Sequence, residues 1–369
     1  MQADMMNLLI VDDNSGDLET YTQSLERFSE ERRFQISYKK FTEIEPAIDA
    51  LHKTSFDGAI IDLRFGSDEY KGNELIREIS HSLYRMPVAV LTGTPEAADH
   101  DLLKNMLVLK KGAEDASIDK IADYFLGIFV TGITRIMGKN GILEQTLQKV
   151  FYESFLEQKD MWISYAKYNH DNTKEALLRH TLQYLINLLN QGNHKYLPLE
   201  NYLYPVPEKS IMTGMIYTKN NDRTYHLIIN PPCDIAIQNN GERKVDYILF
   251  VEIENDDQSY LSELEDYKKT KSNKKKGKVL NYFKDNALYY HWLPKTSFFR
   301  GGKINFRSVS KIPISRIYDL YTETRIQIAP FFMKEILNRY SYYYSRQGQP
   351  EIDKDIYLEI LIETQAISS

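Results

Sequence analysis

Residues 56–63, Phe56-Asp57-Gly58-Ala59-Ile60-Ile61-Asp62-Leu63, carry a short apolar run that ends on an aspartate. A run of this length without polar alternation suits a parallel strand covered on both faces. Working outward, four similar runs are found at Asn7–Val11, Phe34–Tyr38, Val88–Leu91 and Met106–Leu109. Between them, Leu18–Phe28, Glu43–His52, Asn73–Ser80 and Pro95–Lys104 have helical spacing or helix-starting residues, and Ile118–Met137 follows as a fifth helix. Strand and helix alternating in this way predict a doubly wound α/β sheet over the first ~130 residues.

Such a sheet places its site just beyond the carboxyl ends of its strands. Asp12 and Asp13 follow the first strand, Asp62 the third, Thr92 the fourth and Lys110 the fifth. A sheet ordered 2-1-3-4-5 sets the first and third strands side by side, so the three carboxylates converge. Crowded carboxylates repel and raise one another's pKa unless a cation shares the site, and a hard divalent ion such as Mg²⁺ takes oxygen ligands. A lysine opposite and a threonine hydroxyl would complete a pocket for a phosphoryl group.

Four stretches in this order resemble the response-regulator receiver family over residues 6–125: Leu9-Ile10-Val11-Asp12-Asp13-Asn14, Phe56 to Leu63, Pro87-Val88-Ala89-Val90-Leu91-Thr92-Gly93, and Val108-Leu109-Lys110. The resemblance implies a flavodoxin-like (βα)₅ fold, Asp62 as phosphoacceptor, and a partner histidine kinase. It also implies Mg²⁺ on Asp13, Asp62 and the backbone carbonyl of Arg64, with Asp12 acting mostly through water, and Thr92 and Lys110 facing the phosphoryl oxygens. Departures from the family pattern are visible. Lys111 stands where a proline usually follows the lysine, Leu107 takes the aromatic switch position, and the segment from Asp62 to Gly72 is longer by about two residues. The span Thr92–Lys110 is short, which predicts a trimmed fourth helix and a broken relay out of the receiver.

The chain divides by character into a receiver (1–138), a helical connector (139–195) and a β-rich α+β domain (196–369). In the last, Met212–Tyr217, Thr224–Ile229, Val245–Ile253, Tyr289–Leu293 and Lys303–Val309 read as strands, and Pro330 to about Ser345 as a helix. The Met212–Tyr217 run with Ile228-Ile229-Asn230-Pro231-Pro232-Cys233-Asp234-Ile235 resembles a small SH3-like barrel of the PemK/MazF toxin type. Receiver plus β-rich domain is similar in architecture to receiver proteins of Detocs-type phage-defence phosphorelays, which implies a phosphate buffer in antiviral defence. The alternative is a phosphorylation-gated effector whose C-terminal domain is a nuclease or other hydrolase.

Cys233, the only cysteine, excludes an intramolecular disulfide and reads as a small buried residue rather than a nucleophile. Lys268–Lys278 reads as a solvated loop. Aromatic residues are sparse within it and the net charge is −6, both of which argue against nucleic acid. The N-terminus lacks a basic segment followed by a long apolar core, and Arg135 interrupts the most apolar stretch, Tyr124–Thr134. The expectation is a cytoplasmic protein with no membrane segment. The apolar fifth helix, bearing Tyr124, Phe125, Ile128, Phe129, Ile133 and Ile136, is expected to pack on residues 142–190 or on another copy of itself.

Overall fold

The structure is a computed structural model and describes residues 5–189, 195–238, 240–255, 260–285, 287–346 and 350–367. The chain forms two compact units, Met1–Asn193 and His194–Ser369.

The first unit carries five parallel strands: β1 (Met5–Val11), β2 (Gln35–Phe41), β3 (Gly58–Ile61), β4 (Val88–Thr92) and β5 (Leu107–Lys110). Their order is β2-β1-β3-β4-β5, as the sequence predicts. Side chains alternate across the pleat, so each strand feeds two cores. Leu9, Val11, Ile61 and Val90 pack against α2 (Ile44–Lys53) and α3 (Gly72–His81). Leu8, Ile10, Ile60 and Leu91 pack against α1 (Ser15–Arg32) and α4 (Ile118–Phe129). A Cβ on Gly58 would lie 3.0 Å from the Phe125 ring, so this glycine lets α4 lie close to β3.

Two helical expectations are corrected. Pro95–Lys104 forms no α-helix, only a 3₁₀ turn at Pro95–Ala97. The Asn73 side chain holds this turn, donating to the Ala97 carbonyl at 2.9 Å and accepting from the Asp99 amide at 3.2 Å. Asp99 in turn accepts from the Asp101 amide, a local bond that competes with helix. The long fifth helix is broken as well: α4 stops at Phe129, and a short α5 (Ile133–Met137) follows Gly132 at φ +78°. Thr131 completes the break, its hydroxyl donating to the Ile128 carbonyl and accepting from the Ile133 amide. Phe125 and Phe129 are spent on the core of the first unit, whereas Tyr124, Ile133 and Ile136 are exposed. The first unit continues through α6 (Ile142–Val150), a π-helical turn (Phe151–Phe155), α7 (Lys159–Tyr168) and α8 (His170–Leu189).

The second unit is built on a seven-stranded antiparallel sheet. Its strands are β6 (Tyr202–Leu203), β7 (Met215–Lys219), β8 (Tyr225–Ile228), β9 (Tyr247–Glu254), β10 (Tyr290–Leu293), β11 (Gly302–Pro313) and β12 (Tyr321–Ile328), in the order β10-β11-β9-β8-β7-β12-β6. Among the described residues no pairing joins β10 to β6, the two end strands of this order. One face packs on α9 (Pro330–Ser345) through Met333 and Ile336, and the other buries Tyr217, Phe250 and Ile317.

The run Lys268–Lys278 is helical, not a loop. Leu261–Thr270 and Asn273–Tyr282 are two helices joined through Lys271 in the left-handed region. Ion pairs tie them: Lys275 to Asp266 at 2.6 Å and Lys278 to Glu263 at 2.9 Å. Cys233 is exposed rather than buried, on the short helix Pro232–Ile235. No described helix alone is long and apolar enough to cross a membrane.

Candidate functional site

Register brings the acidic residues together. Val11 pairs with Ile61, so Asp12 and Asp62, each one residue past its strand, emerge side by side. The Asp62 amide donates to the Val11 carbonyl at 2.8 Å and the Asp12 amide to the Phe41 carbonyl at 3.1 Å. Asp12 and Asp62 are buried, and Asp13 is exposed. One carboxylate oxygen from each of Asp12, Asp13 and Asp62 lies within 4.8 Å of the others.

The cation facing them is Lys111, not Lys110. Lys110 is the last residue of β5, pairs with Thr92 and is exposed. Lys111 sends its Nζ to Asp12 Oδ2 at 2.7 Å, Asp62 Oδ2 at 2.8 Å and Asp17 Oδ2 at 2.8 Å. Its amide donates to the Thr92 carbonyl at 2.8 Å, which fixes the turn out of the strand. The signal was present in the sequence pattern: Asp12 and Asp62 stand one position past their strands, and Lys111 holds the same position past β5. The residue three before Lys111 is Val108, where Leu107 stands three before Lys110.

Two further contributors come from α1 and were missed in the sequence. Asn14 caps this helix, accepting from the Gly16 and Asp17 amides at 2.9 and 3.4 Å. The cap fixes the first turn against the pocket, so Asp17 reaches Lys111. One turn on, the Tyr21 hydroxyl donates to Asp12 Oδ2 at 3.2 Å. The i, i+4 spacing of Asp17 and Tyr21 next to the Asp12-Asp13 pair is the pattern that could have revealed them.

The extra residues after Asp62 also have a use. Phe65 and Asp68 form an isolated antiparallel bridge around Gly66, which has φ +62°. The Gly66 amide thereby donates to Asp13 Oδ2 at 2.6 Å, holding the exposed carboxylate over the pocket. The Arg64 amide donates to Asp62 Oδ1 at 3.3 Å, while its side chain turns to the Gly66 carbonyl. Gly72 closes the loop: a Cβ there would stand 2.2 Å from the Asp62 carbonyl oxygen and 2.7 Å from the Leu63 Cα. Both obstacles are backbone, so Gly72→Ala should destabilise the fold by about 1–3 kcal/mol through overpacking. Urea unfolding monitored by circular dichroism checks this.

Four carboxylates face one ammonium. Burial pushes Asp12 above its ordinary carboxylate pKa, against the hydrogen bonds from Lys111 and the Asn14 amide that lower it; Asp62 nearby raises it further. Burial alone would lower the Lys111 ammonium, but its bonds to Asp12, Asp17 and Asp62 win and its pKa is raised. The Tyr21 hydroxyl is raised too, by burial and then by the charge of Asp12. Thr92 is fully buried, and its hydroxyl accepts weakly from the Thr94 amide at 3.4 Å. The Thr94 hydroxyl is buried with no hydrogen bond among the described residues. An all-oxygen donor set with excess negative charge fits a hard divalent cation such as Mg²⁺.

The thiol reading finds no support in the geometry. Cys233 Sγ lies 3.7 Å from Asp234 Oδ1, while His226 packs on Phe250 and Tyr321 and His291 faces Asp285.

No protein-family model and no curated protein matches the chain. Solved structures match it over about a third of its length. A CheY-like receiver domain from Methylobacillus flagellatus is 18% identical, covering 33% of this chain and 99% of its own, with a TM-score of 0.28. The response regulator TrrA from Thermotoga maritima, in complex with Mg²⁺ and BeF, is 15% identical over 33% of this chain and 99% of its own (TM-score 0.28). The isolated receiver domain of RcsB from Salmonella enterica serovar Typhimurium, with the phosphomimetic BeF₃⁻, is 24% identical over 34% of this chain and 90% of its own (TM-score 0.28). These three chains are response-regulator receiver domains, and what they match is the N-terminal third of this chain.

Proposed function

We propose that this protein accepts a phosphoryl group on Asp62 from a partner histidine kinase. The observation that carries the reading is the buried Asp62 carboxylate, 2.8 Å from Lys111 Nζ and grouped with Asp12 and Asp13 at the strand ends. A carboxylate oxygen of Asp62 attacks the phosphorus of a phosphohistidine; the P–O bond forms, the P–N bond breaks, and the imidazole leaves with the electron pair. Lys111 and the Thr92 hydroxyl are the groups suited to the equatorial phosphoryl oxygens. Asp13, Asp62 and the Arg64 carbonyl would hold Mg²⁺, with Asp12 acting through water. When bound, the ion offsets the negative charge that carboxylates and phosphoryl oxygens bring together.

The role assigned to the whole protein is acceptor rather than relay, which suits the phosphate buffer that the Detocs resemblance implies. The support is the replaced fourth helix: only a 3₁₀ turn stands where a relay surface would be, and the switch position carries Val108. Exposed Tyr124, Ile133 and Ile136 support self-association through this segment.

Mg²⁺ is expected to raise the melting temperature of the wild-type protein, because it relieves repulsion among Asp12, Asp13 and Asp62. Asp13→Ala should remove most of that rise and most of the labelling by acetyl phosphate. Undiminished labelling of Asp13→Ala, or of wild type in excess EDTA, would count against this pocket. Beryllofluoride should change hydrogen exchange mainly in the loops at residues 12–17, 62–72 and 92–99. Change spreading through residues 205–345 would instead favour a gated output.

A further inference from the structure

The second unit holds a cavity of ≈ 340 Å³ on the side of β10, far in sequence from the acidic pocket. Its walls are aromatic. Tyr260, just before the first helix of the lysine-rich hairpin, meets Tyr282 and Phe283 at the end of the second, with ring centroids 4.9 and 5.4 Å apart. Phe283 continues to Trp292 at 5.0 Å. All four rings are only partly buried, so their faces are not spent on the core of the sheet.

The rim is cationic. Lys295 and Arg300 line the cavity, and the Lys303 ammonium stands 3.9 Å over the Tyr282 ring. Arg300 is the telling residue. Its Nε is buried without a hydrogen-bond partner, and among the described residues the guanidinium makes no hydrogen bond or ion pair, only a contact 4.8 Å over the Tyr225 ring. A guanidinium N–H left unmet where water cannot reach it is costly. The backbone makes this arrangement possible: Gly301, at φ +77°, lies so close that a Cβ would meet the Leu293 carbonyl and the Lys295 amide at 2.9 Å. Lys295 and Arg300 are thereby folded onto one edge.

Aromatic cages also take quaternary ammonium groups, but the two cations that line this cavity, Lys295 and Arg300, oppose a cationic guest. Stacking faces beside vacant donors and positive charge suit a planar base joined to a phosphate. We propose that this cavity binds a nucleobase carrying a phosphate, stacked on the Tyr282–Phe283–Trp292 wall with its phosphate on Arg300 and Lys295. The chemistry is shared by a free nucleotide and by the end of a single strand. The lysine-rich run lacks aromatics of its own, yet folding plants aromatic residues at both feet of the hairpin. On that hairpin Lys268, Lys269, Lys274 and Lys276 have no ion pair among the described residues, so they remain available to the phosphates of a longer strand.

The test uses the full chain and isothermal titration with AMP, ribose 5-phosphate and a short 5′-phosphorylated oligoadenylate. Saturable binding of AMP or the oligonucleotide is expected, with ribose 5-phosphate weaker by about tenfold or more because it cannot stack. Arg300→Gln and Trp292→Ala should each weaken binding by a similar factor at an unchanged melting temperature. Lys295→Gln, at an exposed position, gives the same reading should either of those fail to fold. Equal affinity for AMP and oligonucleotide assigns a free nucleotide. A stronger oligonucleotide affinity that Lys274→Gln with Lys276→Gln erases assigns a strand end. Binding of neither probe at about 1 mM, equal binding of ribose 5-phosphate, or variants that bind like wild type would each overturn the proposal.

Discussion

Asp62→Asn is expected to abolish phosphoryl uptake from both acetyl phosphate and a phosphorylated histidine kinase. The amide keeps the shape and can still accept from the Asp62-neighbouring Arg64 amide, but it has no nucleophilic oxygen with which to form an acyl phosphate. The fold should survive, because Asp62 holds its place through the backbone: its amide donates to the Val11 carbonyl, and Gly72 closes the loop behind it. Removing one charge from a crowded acidic cluster also relieves repulsion, so the melting temperature should hold or rise. Mass mapping of wild type should find the phosphate on Asp62, stable in acid and labile in base. Persistent labelling of the variant at Asp12, Asp13 or Asp17 would show that the nucleophile had been misassigned.

The legible parts of this molecule are those in which one local rule decides the outcome. Continuous apolar runs marked β1, β3 and β4, because these strands are buried on both faces, while the strand order came with the receiver resemblance. The convergence of Asp12, Asp13 and Asp62 followed from strand order alone. What escaped was decided by single hydrogen bonds or by long-range pairing. The Asn73 bonds that hold Pro95–Ala97 out of a helix come from another element, more than twenty residues away in sequence. Strand β12 was missed because Arg325, at φ +60°, bulges it, and the alternation of buried Tyr321, Ile326 and Ile328 slips by a residue. The lysine-rich hairpin is not legible as helix because its stabilising ion pairs run between helices rather than along one. Lys111 stands one position beyond the expected lysine because β5 runs one residue past its apolar run, to Lys110 rather than Leu109.

That one-residue correction leads to the most discriminating substitution pair. Lys110→Ala should leave phosphoryl uptake within about twofold of wild type, since surface changes rarely reach a site. Lys111→Ala should slow uptake on the order of 10²-fold, the usual cost of deleting a charge-stabilising donor at a reacting centre. Stability separates the two as well. Asp12 already has a raised pKa by burial, and Lys111 is the ammonium that opposes the shift. Without it the folded state holds the Asp12 proton still more tightly than the unfolded chain does. A carboxylate raised on folding lowers stability as pH climbs from its unfolded value through its folded one. The melting temperature of Lys111→Ala should therefore fall most below wild type at neutral pH, and the gap should narrow on acidification toward pH 5 or on adding Mg²⁺. Lys111 contributes the opposite dependence: its raised pKa means stability held fully below about pH 10.5, its unfolded value, and lost only above. A Lys111→Ala gap that stays constant from pH 5 to pH 8, together with a large loss of uptake in Lys110→Ala, would return the catalytic role to Lys110.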